Sequence, residues 1–218
     1  MNYSELIDTI QSYADRYDDD LESQLPVMFT LVESRVSRLL KIREMTVRAR
    51  FSTVSNKTHY PLPSDFKGMR DIKAVFPQAN DGEGASQTLD LLNPEQMTEK
   101  DYSNPETNPT GTMGYAVLAN QLQITPALED GNFIEMVYYR RIPALTPTAP
   151  NNWLTDDYPD VYLRGMLAEV TSFAKDFDDA KIWNASFKEA VLEIDSADQD
   201  ERWSGTPMVV KTDLTGRT

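Results

Sequence analysis

Apolar residues recur at three- and four-residue spacing at both ends of this chain and at two-residue spacing between them. That double change of period constrains the fold more than any other feature, because helices and strands cannot share one pattern. Leu6, Ile7, Ile10, Tyr13, Ala14 and Tyr17 predict a first helix with Ser4 as its N-cap. The run Asp18-Asp19-Asp20 interrupts it and suits an exposed turn. A longer helix is predicted from Ser23 to Arg43 on the stripe Leu25, Phe29, Val32, Val36 and Leu39, widened by Met28 and Leu40. Pro26 falls in its first turn, where a missing N–H costs little. Arg35, Arg38, Lys41 and Arg43 crowd the C-terminal half, where cations favour the helix dipole.

The period then becomes two. Val47, Ala49 and Phe51 alternate with Arg48, Arg50 and Ser52, and further extended segments are centred on Tyr60–Leu62, Ile72–Phe76, Leu89–Leu91, Tyr115–Val117, Leu122–Ile124 and Phe133–Tyr139. Ala119-Asn120 and Asp130-Gly131 read as turns, and Gln78 to Ser86 as a mobile hairpin loop. Asn93 and Pro94 can open a short helix. Pro143, Pro147 and Pro150 make a stiff connection back to helix. Leu163, Met166, Leu167, Val170 and Ala174 then form one stripe, and Ala180, Trp183, Phe187, Val191, Ile194 and Ala197 a second, opened by Asp178. The few residues around Asp176 should turn these two helices into an antiparallel hairpin.

The expected fold is therefore α+β: an antiparallel helical bundle from the N- and C-terminal helices (1–45 and 152–204), carrying an inserted, mainly antiparallel β-sandwich or barrel domain (46–151), with an extended C-terminal arm (205–218). The 218 residues, 40% hydrophobic, suffice to bury a core without staples.

Chemistry is sparse. No cysteine is present, so disulfides, thiolate metal sites and cysteine nucleophiles are excluded. His59 is the only histidine, and a base needs partners. Asp176, Asp178 and Asp179 lack the ligand order and glycine of a calcium loop and read as a solvated cap. Neither GxxxxGK[ST] nor GxGxxG occurs. No cofactor and no metal are expected. Glu5 and Asp8 in the first ten residues argue against a signal peptide, and no apolar run is long enough to span a membrane. The formal net charge of −14 opposes a grip on phosphates, although Arg35 to Arg50 form a locally basic run. That run is read as pairing with the acidic helices from Asp156 to Glu201, within a subunit or between neighbours.

Several segments, in order, resemble a known family. They are Leu39-Leu40-Lys41-Ile42-Arg43-Glu44-Met45, then Tyr60-Pro61-Leu62-Pro63-Ser64-Asp65-Phe66, then Val137-Tyr138-Tyr139-Arg140 with Ile142-Pro143-Ala144-Leu145. Asn152-Trp153-Leu154 follows, before Tyr158-Pro159-Asp160-Val161-Tyr162-Leu163, and the chain closes on Arg202-Trp203-Ser204-Gly205-Thr206-Pro207. From about residue 4 to 210 the chain resembles the head-to-tail adaptor (connector) proteins of tailed bacteriophages, related to the tail tubular adaptor of short-tailed phages. The resemblance implies a virion structural protein and not an enzyme. It implies a ring of twelve below the portal protein, joined to the tail nozzle or tube, with a channel through which double-stranded DNA passes without tight binding.

On that footing, three sets of residues are candidates. Asp195, Asp198 and Asp200 lie off the apolar stripe and would line the channel. Arg35 and Arg38 would meet a neighbouring subunit. Trp203, Pro207, Met208, Val209 and Val210 would dock on the portal, since Gly205 and Pro207 stop the helix and leave an apolar extended arm. The competing readings are a sixfold tail-completion or tube-terminator protein, a DNA-packaging or nucleic-acid-binding factor, and a cell-wall hydrolase, for which no paired carboxylate site is evident.

Overall fold

Short polar side chains set where the first two helices begin. In the computed structural model, which describes residues 1–77, 84–98 and 111–203, helix α1 spans Tyr3–Ala14 and α2 spans Asp19–Leu39. Asn2, not Ser4, caps α1: its side chain accepts from Glu5 N while the Glu5 carboxylate accepts from Asn2 N, both at 2.9 Å. Asp15, at φ 47°, ends the helix in the left-handed region. Asp18 caps α2, so the aspartate run is the start of that helix and not a turn outside it. Arg16 hydrogen-bonds Asp18 at 2.9 Å and holds its carboxyl below the usual range. Pro26 therefore stands inside α2, beyond its first turn.

The strands are β1 (Thr46–Ser52), β2 (His59–Pro61), β3 (Phe66–Phe76), β4 (Ala85–Leu91), β5 (Met113–Leu118), β6 (Gln121–Thr125) and β7 (Phe133–Arg140). Single 3-10 turns lie at Arg43–Met45 and Gln96–Thr98, the latter where the sequence predicts a short helix. Three helices close the described chain: α3 (Trp153–Asp157), α4 (Pro159–Phe173) and α5 (Phe177–Trp203). The protein is α+β, and its described residues form five helices and one seven-stranded mixed sheet ordered β1-β7-β3-β4-β5-β6-β2.

The chain divides into two compact units, Glu44–Ala144 and Met1–Arg43 with the chain from Leu145 onward. In the first of these, β4 changes partner half-way. Ala85–Thr88 pair antiparallel with β3, and Leu89–Leu91 pair parallel with β5. A strand shared in this way bends the sheet, which curls into a half-barrel. Of the expected sandwich or barrel, the structure forms a half-barrel from a single sheet. The parallel pair has a simple cause: the β4–β5 connection, residues 92–112, is long enough for a crossover. Tyr60, Ile72, Leu122, Ile124, Ile134 and Met136 fill the concave face.

In the helical unit α4 is central and touches α1, α2, α3 and α5. Leu6 and Ile10 of α1, Leu25, Phe29, Val32 and Val36 of α2, and Phe187, Val191 and Ile194 of α5 are buried. The stripes are narrower than the spacing implies. Tyr13 is 63% exposed, Tyr17 lies beyond the helix, and Leu39 is also exposed.

Candidate functional site

The helical unit holds Arg35, Arg38, Asp195, Asp198 and Asp200, and Arg35, Asp195 and Asp198 each meet another polar side chain of that unit. Arg35 leaves α2 toward the α4–α5 pair. Its Nη1 donates to Glu169 Oε1 at 2.8 Å, its Nη2 donates to Asn184 Oδ1, and its guanidinium lies 4.5 Å from the centre of the Phe187 ring. An open pocket of about 430 Å³ beside it is lined by Arg35, Ala168, Glu169, Phe177, Lys181 and Asn184. Arg38, one turn on, is exposed.

Arg43 ties the start of the 3-10 turn to the end of α5. Its Nε donates to Asp198 Oδ1 at 2.9 Å, its backbone N to the same oxygen at 3.3 Å, and its Nη2 to Glu201 Oε2. Those two carboxylates raise the Arg43 pKa further. Asp198 is only 6% exposed. The sequence places it off the apolar stripe, whereas the structure packs it inward on a cation and leaves Ala197 exposed. Asp195 is half-buried and accepts from Gln199 Nε2 at 2.8 Å, and Asp200 is exposed. Two members of the basic run thus pair within the chain, Arg35 with Glu169 of α4 and Arg43 with Asp198 and Glu201 of α5.

A second polar node was not legible in the sequence. Glu33 Oε1 accepts from Leu145 N at 2.7 Å and from Tyr162 OH at 3.1 Å. Asn152 Nδ2 donates to Tyr162 OH at 2.8 Å, while Asn152 Oδ1 caps α3 by accepting from Thr155 N at 3.0 Å. Burial raises the Glu33 carboxyl against the two hydrogen bonds that lower it, and burial beside the Glu33 charge raises the Tyr162 hydroxyl. The arrangement positions backbone. Both Glu33 contacts are to groups that hold their protons, so nothing in it activates a nucleophile.

Asp176 caps α5 by accepting from Asp179 N at 3.2 Å, as expected of that aspartate cluster. His59 is exposed on β2 and meets Thr58 Oγ1 at 2.8 Å. Among the described residues no group of three or more His, Asp or Glu could hold a metal ion, and no helix is long and apolar enough to cross a membrane. Trp203 is the last residue of α5. Pro207, Met208, Val209 and Val210, and most of the loop from Gln78, lie outside the described residues.

The ion pairs and buried polar links of the helical unit join its own helices and loops to one another. The family model described as SU10 adaptor protein matches residues 1–211, so the chain belongs to that family. It is a phage adaptor protein, and membership implies a structural role in the virion at the head–tail junction, with other head and tail proteins as neighbours. No curated protein matches the chain significantly.

Proposed function

We propose that this chain is a head-to-tail adaptor that forms a ring of twelve beneath the portal protein and passes the DNA channel on to a tail nozzle or tube, in the position of the tail tubular adaptor of short-tailed phages. The observation that carries this reading is the family match along residues 1–211. The helical unit forms a bundle within the ring wall. Asp195 and Asp200 present acid to the channel, where an acidic wall lets phosphates slide and a basic one would hold them. Arg38, exposed on α2, is the cation left for a neighbouring subunit, since Arg35 is engaged by Glu169 and Asn184. The arm from Gly205 to Lys211 docks on the portal, with Trp203 at its base and Pro207, Met208, Val209 and Val210 as its apolar contacts.

Purified protein mixed with portal rings and imaged by electron microscopy tests this directly. Twelvefold adaptor density below the portal is expected. Sixfold rings that bind tail tubes would favour a tail-completion protein. Tight duplex-DNA binding that weakens steeply with salt would favour a packaging factor. Truncation after Ser204 is expected to leave the melting temperature nearly unchanged and to abolish co-assembly with portal. Normal co-assembly of the truncated protein sinks the docking arm.

A further inference from the structure

The two edges of the curled sheet are not alike. At the β1 edge, Thr53 donates to Asn132 O at 2.9 Å and continues the β1–β7 register. Antiparallel ladders alternate, so Val47, Ala49 and Phe51 turn their backbone groups toward β7. Arg48, Arg50 and Ser52 turn theirs outward, and among the described residues nothing pairs with them. At the β2 edge, Ile124 donates to Thr58 O and Leu62 to Asn120 O, both at 2.9 Å. His59 and Pro61 therefore face outward there, and Pro61 has no N–H to offer. One edge is guarded by proline and the other is open.

The open edge also has a floor and a charge pattern. A cleft of about 450 Å³ lies beside β1, lined by Ala49, Phe51, Tyr60, Leu62 and Met136, with the Phe51 and Tyr60 rings 5.0 Å apart. On the opposite face a row of charges crosses the sheet. Glu135 on β7 stands directly opposite Lys73 on β3 and Arg50 on β1. Lys73 Nζ lies 3.2 Å and Arg48 Nε 3.5 Å from its carboxylate. The signs alternate from β3 through β7 to β1, and there the row stops. Arg48 has 71% of its side chain exposed, and Arg50 rests 3.9 Å from the centre of the Phe133 ring. An acidic strand would continue the alternation.

The geometry points to β1 as a docking edge for an extended peptide segment that alternates apolar and acidic side chains. The segment adds as a strand through the outward groups of Arg48, Arg50 and Ser52. Its apolar side chains lie over the cleft, and its acids meet Arg48 and Arg50. This surface belongs wholly to the β unit and does not depend on the ring assignment.

The test titrates the full-length protein into a fluorescein-labelled peptide of alternating valine and glutamate and follows anisotropy. Saturable binding is expected, about tenfold tighter than for a valine–lysine peptide or for the valine–glutamate peptide N-methylated on alternate amides. Arg50→Pro removes an outward N–H and leaves the β7 ladder intact, so it is expected to melt like wild type and to lose the peptide. Arg48→Glu combined with Arg50→Glu keeps the backbone and is expected to invert the preference toward valine–lysine. Absence of binding, equal affinity for the three peptides, or an unchanged preference in the double variant would each overturn the proposal. So would a peptide-free dimer that Arg50→Pro dissociates, because the edge would then already be occupied by a second copy.

Discussion

Glu33 shows how a single side chain can join parts of the chain that are far apart in sequence. Its carboxylate holds Leu145 N and Tyr162 OH. Burial raises its pKa above the ordinary 4.5, so the folded protein keeps a proton that the unfolded chain has already lost. Stability is therefore lost as pH rises from the unfolded value through the folded one. Glu33→Gln keeps an acceptor and carries no such proton. Urea melts of the two proteins at matched pH are expected to shift in favour of the glutamine variant as pH rises above the ordinary 4.5 of the unfolded carboxyl. A constant difference would remove charge from the explanation. Tyr162→Phe takes a donor from Glu33 and an acceptor from Asn152 at once. It is expected to cost about 1–3 kcal/mol, read from the same melts, because both partners stay buried. None of these partners could be read from the sequence, since Glu33 lies 112 residues from Leu145 and 129 from Tyr162. Asp198 misled for the same reason. A carboxylate off a stripe is normally solvated, and its cation, Arg43, is 155 residues away.

Gly165 is the element-scale counterpart, a place where α4 meets side chains of both α2 and α5 closely. A Cβ there would stand 2.8 Å from Val32 Cγ1 and 3.0 Å from the Phe187 ring. Alanine would gain about 1 kcal/mol of helix propensity over glycine. Val32 and Phe187 are both fully buried, however, and overpacking of such a site costs about 1–3 kcal/mol. Gly165→Ala is expected to be destabilising in thermal melts, and Gly165→Ala with Val32→Ala to recover part of the loss. Elements of this kind were legible where one period persists. The apolar stripes of α2, α4 and α5 and most of the extended segments follow from spacing alone, but α2 stops at Leu39, short of the predicted Arg43. Helix starts were not legible, because the same short polar residues serve as caps and as turns: Asn2 and Asp18 cap helices that the sequence places two to four residues later. The parallel β4–β5 pair was hidden as well, since alternation along a strand says nothing about the direction of its neighbour.

At the scale of the whole molecule, the β unit is a single uninterrupted segment whose first and last strands pair with each other. Thr46 of β1 stands opposite Tyr139 of β7, and the register runs without a break to Ser52 and Phe133. Chain entry and exit are therefore side by side, the arrangement that lets one domain sit within another at little topological cost. Among the described residues every pairing between the seven strands is internal to Glu44–Ala144, and so is the buried cluster from Tyr60 through Ile134 to Tyr138. Arg141 N donates to Asp65 O at 2.8 Å and Tyr138 OH to Asp65 Oδ1 at 3.0 Å, so the last strand is secured inside the same segment. Seven strands with one covered face exceed what independent stability requires of a sheet. Expressed alone, residues 44–144 are expected to fold, with dispersed amide resonances and a cooperative, reversible melt. The complementary variant, in which a short glycine–serine linker replaces residues 44–144, is expected to retain far-ultraviolet helical signal and the Arg43–Asp198 contact. A fragment without dispersion, alongside a helical variant that folds, would show that the sheet needs the helical unit to form.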